Sequence, residues 1–388
     1  MSNLLSLEQA QARLLGLAPR ATIESVPPET ALGRYLAYDL AALRTHPPAD
    51  LSAMDGFAVC GDGPWQIVGE SRAGTAFAGS LNQHQAIQIS TGATLPVGGE
   101  AILLREDAAL NGAELTATDA PTARHIRRKG FDFATGDTVL SAGTKIGPGQ
   151  IALALSAGHA NISVAKPPTI AILDSGDELS AEPSVLGPDQ IPASNGAMIE
   201  AMLKPLGCDT LRLGPVPDDR NAIAKALSQA EAADILVTSG GASVGDHDLI
   251  RPALEDWGAD LAFWKVAMKP GKPLMIASRD HQVIAGLPGN PVSSFVTCFL
   301  FVLPLVRSIM GHRSPLPHTL QATTETDLPA VGSRHEFLRG IAGETSVNLA
   351  DSQDSSALRA LSAANCLIDR PAFASPVSKG ETVTVYPL

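Results

Sequence analysis

The chain has 388 residues, 45% of them apolar and 18% charged, which excludes wholesale disorder and is too long for one compact core, so about two to four domains are expected. Its net charge of −12 excludes the broad basic footprint of a nucleic-acid-binding surface, and any anionic substrate must be drawn in by local lysines, arginines, helix N-termini or a metal. The cysteines Cys60, Cys208, Cys298 and Cys366 form no CxxC pair, so reduced thiols in a cytoplasmic protein are expected rather than a zinc site or a disulfide framework.

The opening MSNLLSLEQAQARLL has neither a basic start nor a long apolar core and does not read as a signal peptide. Apolar residues at helical spacing (Leu7, Ala10, Leu14, Leu17) predict a first helix over 7–17, with Ser6 and Gln9 in capping-box register. A second helix is predicted near 28–33, and His46-Pro47-Pro48 reads as a stiff linker. From Leu51 to Leu140 the pattern changes to short β runs split by glycine and proline, FAVC, PWQIVGES, QAIQIST and AILLRED among them. With no convincing helix there, a compact β domain is predicted. Residues 150–158 read as a helix capped by Gly158, and 161–166 as a strand ending at Pro167-Pro168.

Between 169 and 310 strands and helices alternate: strand TIAIL, helix 195–206, strand TLRLG, helix 221–232, strand DILVTS, helix 248–257, strands AFWKVAM, LMIAS and QVIAG, then helix 292–310. That order predicts a parallel, doubly wound sheet, which binds ligands at the C-terminal ends of its strands. The loops DSGDEL, SGGASVGD, KPGKP and LPGNP all follow strands and should gather at one edge. The apolar run Phe295–Val306 is shorter than a bilayer span and contains Pro304, so a buried helix is expected. Residues 318–388 return to β patterning and predict a small barrel or sandwich. The expected fold class is multidomain α/β plus β, in segments 1–47, 48–140, 141–166, 167–312 and 313–388.

The stretch Ala233–Asp248 runs from an apolar strand into Thr238-Ser239-Gly240-Gly241-Ala242-Ser243-Val244-Gly245, with carboxylates at Asp246 and Asp248. Small residues let a backbone approach a ligand and offer N–H groups to an oxyanion, while acids just beyond can hold a divalent metal. A plain strand-to-helix turn is the other reading. Asp174, Asp177 and Glu178 crowd one loop; crowded carboxylates need a cation or a set of N–H donors, with helix capping as the simpler account. Lys269 and Lys272 flank a proline-fixed turn, an anion clamp or a solvated loop. Leu287-Pro288-Gly289-Asn290-Pro291-Val292-Ser293-Ser294 opens a helix whose first-turn N–H groups suit an anion. Asp55 in SAMDGFAV and Thr91 in STGA read, on the residues alone, as turn positions. With no HExxH, nucleophile-elbow serine or Walker lysine motif, covalent hydrolase chemistry is not expected.

Through SAMDGFAV, STGA, TSGGASVGDHD, FWKVAMKPGKP and GLPGNPVS, in that order and spacing, the chain resembles the molybdopterin molybdenumtransferase family (the MoeA proteins and the E domain of gephyrin) over essentially its whole length. The resemblance implies a linking domain (1–47 with 141–166), a distal β domain (48–140), a MogA-like doubly wound α/β domain (167–312) and a C-terminal β barrel (313–388). It implies a homodimer with its cleft between the β domain of one subunit and the α/β domain of the other. It also implies insertion of molybdate into adenylylated molybdopterin with release of AMP, Mg²⁺ as cofactor and a MogA-like adenylyltransferase as substrate donor, with no nucleic-acid or membrane partner. Carried over motif by motif, the catalytic residues would be Asp55, Asp177, Glu178, Asp246 and Asp248, and the metal ligands Asp177, Glu178 and Asp246. Substrate contacts would come from Thr91, Ser175, Gly176, Ser239, Gly240, Gly241, Ser243, Val244, Gly245, Lys265, Lys269, Lys272, Pro288, Gly289, Asn290, Pro291 and Ser293.

The chain departs from the family pattern in places. Asp174 stands where the family has Ser or Thr, Phe131 replaces a glutamate, and Ala193 takes a position expected to be Asp or Asn. Asp354 replaces a glycine, and Ala357 and Leu361 replace aromatics. These departures leave an alternative, a catalytically divergent paralogue that binds molybdopterin as a scaffold on the same fold.

Overall fold

The computed structural model describes residues 4–240 and 249–388. The chain forms two compact units, one of Met1–Glu24, Gly33–Ala37 and Val164–Leu388, the other of Ser25–Leu32 and Tyr38–Ser163. In the first, helix α1 (Leu7–Leu15) starts as its capping box predicts: Ser6 Oγ accepts the Gln9 N–H at 3.2 Å and Gln9 Oε1 accepts the Ser6 N–H at 3.1 Å. Leu7, Ala10 and Leu14 form its buried face.

The second unit is built on strands β1 (Gly56–Cys60), β2 (Trp65–Ser71), β3 (Gln85–Ile89), β4 (Ala101–Leu104), β5 (Ala108–Asn111) and β6 (Glu114–Ala117). They form one sheet in the order β4-β1-β3-β2-β6-β5. Central strand β1 is buried throughout, its side chains alternating between a cluster with Ile87 and Ile102 and another with Trp65 and Leu103, as a period of two requires. Gly56 opens β1 against β4 so closely that a Cβ there would lie 2.0 Å from the Leu103 carbonyl oxygen. Helix α2 (Pro148–Ser156) follows, with Gly158 left-handed at φ +99°. The helix expected near 28–33 is only a 3-10 turn, Pro28–Thr30. Gly33, left-handed at φ +81°, turns the chain away before a further turn can form.

In the first unit, strands β7 (Ile170–Ser175), β8 (Thr210–Val216), β9 (Ile235–Ser239), β10 (Asp260–Trp264), β11 (Met268–Lys269), β12 (Met275–Arg279) and β13 (Gln282–Leu287) are interleaved with helices α3 (Asn195–Leu203), α4 (Arg220–Gln229), α5 (Ile250–Asp256) and α6 (Pro291–Ile309). The sheet order is β8-β7-β9-β13-β12-β10. Alternate side chains of β7 and β9 feed two cores: Ile172 and Val237 pack with residues of α1, α3 and α6, and Leu173 and Leu236 with residues of α4 and α5. Two expectations are corrected here. The sheet is mixed rather than parallel, because β12 and β13 are joined by only Asp280 and His281 and so form an antiparallel hairpin. AFWKVAM is not one strand: Lys265 adopts φ +71°, leaving β10 in this sheet while β11 pairs with another.

Helix α6 is long and apolar enough to cross a membrane, yet 83% of its apolar window is buried inside the protein. A π turn at Cys298–Val302 precedes Pro304. Proline has no N–H for the carbonyl four residues back, and that carbonyl, on Leu300, instead accepts the Gln11 side-chain amide at 2.9 Å. The closing residues form β14 (Leu320–Thr324), β15 (His335–Ala342), β16 (Ser346–Leu349), helix α7 (Leu358–Ala363), β17 (Cys366–Arg370) and β18 (Thr382–Pro387). The strand ring β15-β16-β14-β18-β17 returns to β15 and closes a five-stranded barrel, with β11 attached beside it on β15.

Candidate functional site

The strand ends meet at one edge of the mixed sheet. Asp174 pairs with Ser239, Ser239 with Leu287, Gly286 with Met275, and Met275 with Trp264, while Ser175 reaches Val216. Although β12 runs backwards, β10 is parallel to β13, so the loops after β7, β9, β10 and β13 leave the same edge. Among the described residues, five of the eight buried side-chain atoms without a hydrogen-bond partner lie here: Asp174 Oδ1, Asn195 Oδ1, Thr238 Oγ1, Asn290 Oδ1 and Ser294 Oγ. Unsatisfied buried polar atoms are rare in folded proteins and costly, so their concentration marks a functional edge.

A narrow cleft at this edge is lined by Asp174, Ser175, Glu178, Asn195, Ser239, Gly240, Gly289 and Pro291 among others, with a volume of about 50 Å³. Gly240 has φ +96°, and a Cβ on it would lie 2.8 Å from the Ser175 carbonyl oxygen, so only glycine lets the two strand ends approach. Asn195 ties the walls together by donating from Nδ2 to Ser239 Oγ at 2.8 Å and to the Gly289 carbonyl at 2.7 Å. Ser175 Oγ donates to Asp218 Oδ1 at 3.0 Å, and Asp177 Oδ1 accepts the Asp218 N–H at 3.0 Å. Asp219 is the N-cap of α4, accepting from Asn221 and Ala222. Asp177 thus braces the loop while Glu178 faces the cleft. Burial pushes Asp174 up to about 6, with Arg212 and the Gly196 N–H pulling the other way.

A second groove, of about 370 Å³, lies between the KPGKP loop, Ser293 on α6 and the barrel, with Arg334, Glu336, Arg339 and Asp354 on its far wall. It gathers the cations Lys269, Lys272, Arg334 and Arg339 against the carboxylates Glu336 and Asp354, a local excess of two positive charges in a chain of net −12. Lys269 is paired with Glu336 at 3.2 Å. Arg339, 1% exposed, donates to the Ser352 and Asp354 carbonyls at 2.9 and 3.1 Å. Burial pulls its pKa down from the usual guanidinium range. Asp354 turns its carboxylate to the Ser356 N–H and hydroxyl.

In the other unit, Asp55 Oδ1 accepts the Thr91 N–H at 2.7 Å and the Thr91 hydroxyl at 3.0 Å. The Thr91 N–H, then its hydroxyl, hold the carboxyl below its ordinary range and so ionised. The structure therefore brings Asp55 to Thr91, joins Ser175, Glu178, Ser239, Gly240, Gly289 and Pro291 in one cleft, and joins Lys269, Lys272 and Ser293 in a groove. Gly176, Pro288 and Asn290 lie in the same loops without lining either. Lys265 lines neither; its Nζ sits 3.9 Å above the Trp264 ring. Gly241, Ser243, Val244, Gly245, Asp246 and Asp248 lie outside the described residues. Among the described residues no three His, Cys, Asp or Glu side chains share a site for one metal ion. Arg334 and Arg339, brought in from the barrel, and Asn195 are site residues that no local motif had announced; Asp174 was visible only as an extra acid.

The chain matches, in order, the family regions described as "MoeA N-terminal region (domain I and II)" over residues 5–158, "Probable molybdopterin binding domain" over 171–308 and "MoeA C-terminal region (domain IV)" over 321–388. It is 34% identical to a molybdopterin molybdenumtransferase of Haemophilus influenzae, covering 99% of this chain and 98% of that protein. It is 30% identical to one of Bacillus subtilis over 98% and 93%. Among solved structures, a molybdopterin biosynthesis MoeA protein from Pyrococcus horikosii superposes with a TM-score of 0.84 at 26% identity, covering 99% of both chains. With full-length relatives, three consecutive family regions and the same architecture, this chain belongs to the MoeA family of molybdopterin molybdenumtransferases.

Proposed function

We propose that the chain is the molybdopterin molybdenumtransferase of molybdenum cofactor biosynthesis, inserting molybdate into adenylylated molybdopterin with release of AMP. The observation that carries this reading is the cationic groove. A local excess of two positive charges in an acidic chain suits a dianion such as molybdate, and Lys269, Lys272 and Arg334 would hold it by charge-assisted hydrogen bonds. Lys269 would exchange its Glu336 partner for the incoming anion. Ser239, Gly240 and the loop beyond would receive the pterin-bearing substrate, with Thr91, Ser175, Gly289, Pro291 and Ser293 completing the contacts.

Asp177, Glu178 and Asp246 are proposed to hold Mg²⁺. A donor set of carboxylate oxygens fits this hard cation, which would neutralise phosphate charge when bound. Asp55, kept ionised by Thr91, is assigned to orienting the attacking oxygen nucleophile. A homodimer is the proposed working form, fed by a MogA-like adenylyltransferase, and the free cysteines fit a cytoplasmic setting.

The test is to incubate the protein with adenylylated molybdopterin, molybdate and Mg²⁺ and to measure AMP. Molybdate-dependent AMP release is expected; tight pterin binding without AMP would replace this reading by a scaffold. Asp55→Asn and Asp248→Asn are each expected to abolish turnover with the circular dichroism spectrum unchanged, and full activity in both would sink the proposed site.

A further inference from the structure

We propose that His335 and Asp369 are a positioning pair for the cationic groove. Their side-chain hydrogen bond fixes the end of β15 that carries Arg334 and Glu336, and with it the affinity for molybdate, the oxyanion that the reading above assigns to this groove and on which the inference rests. A short stretch of backbone joins the two walls. β11, two residues long, sets Met268 beside His335 and Lys269 beside Glu336, and the His335 N–H donates to the Ala267 carbonyl at 2.8 Å. On its other side β15 pairs with β17 from Glu336 opposite Arg370 onward. The residue that would stand opposite His335 in that register is Pro371, which has no N–H to give. The ladder therefore ends just where the chain passes to Arg334.

Side chains supply what the ladder lacks there. His335, 9% exposed, donates from Nε2 to Asp369 Oδ1 on β17; a carboxylate only accepts, so the hydrogen is on the ring nitrogen. The His335 ring lies flat on Phe337, with centroids 4.6 Å apart and 6° between the planes. The bond ties β15 to β17 across the missing rung, and the stack fixes the rotation of the ring. Glu336, the next residue, points the other way and holds Lys269 at 3.2 Å, as alternation along a strand requires. A turn of His335 would carry Arg334 on one side and Glu336 on the other along with it. Neither His335 nor Asp369 lines the groove, so the pair acts through these neighbours. Charge-assisted hydrogen bonds to an oxyanion are short and directional, and a displacement of about 1 Å in a positioning group can cost on the order of a hundredfold.

Molybdate kinetics separate positioning from general support of the fold. In the full chain, Asp369→Ala and His335→Phe are each expected to raise KM for molybdate about tenfold or more, with kcat at saturating molybdate and KM for adenylylated molybdopterin within about twofold of wild type. His335→Phe keeps the stack on Phe337 and deletes the bond, so it remains informative should Asp369→Ala, which strands a buried donor, fail to fold. Asp369→Asn keeps an acceptor oxygen and is expected to stay within about threefold of wild type. An unchanged molybdate KM in His335→Phe, an equal rise in both KM values, or as large a rise in Asp369→Asn as in Asp369→Ala would each overturn the proposal. Calorimetric titration with molybdate alone keeps the two readings apart. If wild type binds molybdate without releasing AMP, and His335→Phe binds it at least about tenfold more weakly, the pair stands and the enzyme falls. AMP release by wild type, with molybdate affinity unchanged in His335→Phe, removes the pair and leaves the enzyme.

Discussion

Asp174 is a buried carboxylate that the fold holds at a cost. Its folded-state pKa, about 6, lies above the ordinary 3.8, so the folded chain retains a proton that the unfolded chain releases between those values. The destabilisation is absent below about pH 3.8, grows as pH rises through the window and is complete above about pH 6. At 1.36 kcal/mol per pH unit, a shift of about two units corresponds to about 3 kcal/mol. Asp174→Asn keeps the shape and the bond to Gly196 while removing the charge. It is therefore expected to raise the melting temperature at about pH 7.5, by an amount that shrinks toward pH 4. An unchanged melting temperature at the higher pH would contradict this account. Asp55 is the opposite case: Thr91 donors lower its pKa, so it stays ionised across the neutral range and adds no titration there.

At the scale of elements, close backbone approach decides where glycine is indispensable. Gly56 begins a strand in SAMDGFAV, and an alanine there would place Cβ 2.0 Å from the Leu103 carbonyl and 3.1 Å from the Arg105 nitrogen. Main-chain atoms of a paired strand cannot move aside cheaply. Gly56→Ala is expected to destabilise its unit by about 3 kcal/mol or more. Gly149, in the first turn of α2, has open space around its missing Cβ, so Gly149→Ala should be neutral or stabilising by up to about 1 kcal/mol. Thermal melts of the two variants check the pair, and equal effects would refute the steric account. Two other elements escaped the period-based reading. AFWKVAM is uniformly apolar enough for one strand, but a left-handed Lys265 divides it between two sheets. LMIAS and QVIAG are continuous apolar runs like those of buried parallel strands, but two residues between them allow only a hairpin.

At the scale of the molecule, Asp55 belongs to one compact unit and the groove lysines to the other. If the proposed homodimer completes each site with groups from both subunits, two inactive variants should rescue one another. Asp55→Asn chains mixed with Lys272→Ala chains, under conditions that exchange subunits, are expected to recover about a quarter of wild-type turnover by random reassortment. No recovery after proven exchange would mean that each chain completes its own site. Helix α6 is a second question settled only at this scale. By composition it could lie in a membrane, but it forms the centre of the largest core, with Gln11 satisfying the carbonyl that Pro304 leaves open.

The sequence by itself determined the α/β alternation, the β-rich stretches on either side of it, the capping box of α1 and the arrival of four loops at one sheet edge. Each of these follows from local periodicity, turn chemistry or strand direction, which neighbours in the chain decide. The motifs also carried the family, and they named residues that the structure brings together, Asp55 with Thr91 and Ser239 with Gly289. Only the tertiary structure decided that the loops form a narrow cleft and a separate cationic groove. That division depends on Asn195 spending its hydrogens on two remote partners, on burial leaving one oxygen of Asp174 without a donor, and on Arg339 arriving on a barrel strand with Arg334 just before it. Desolvation and long-range pairing leave no periodic trace in a sequence, because they depend on what the rest of the chain brings to the same place.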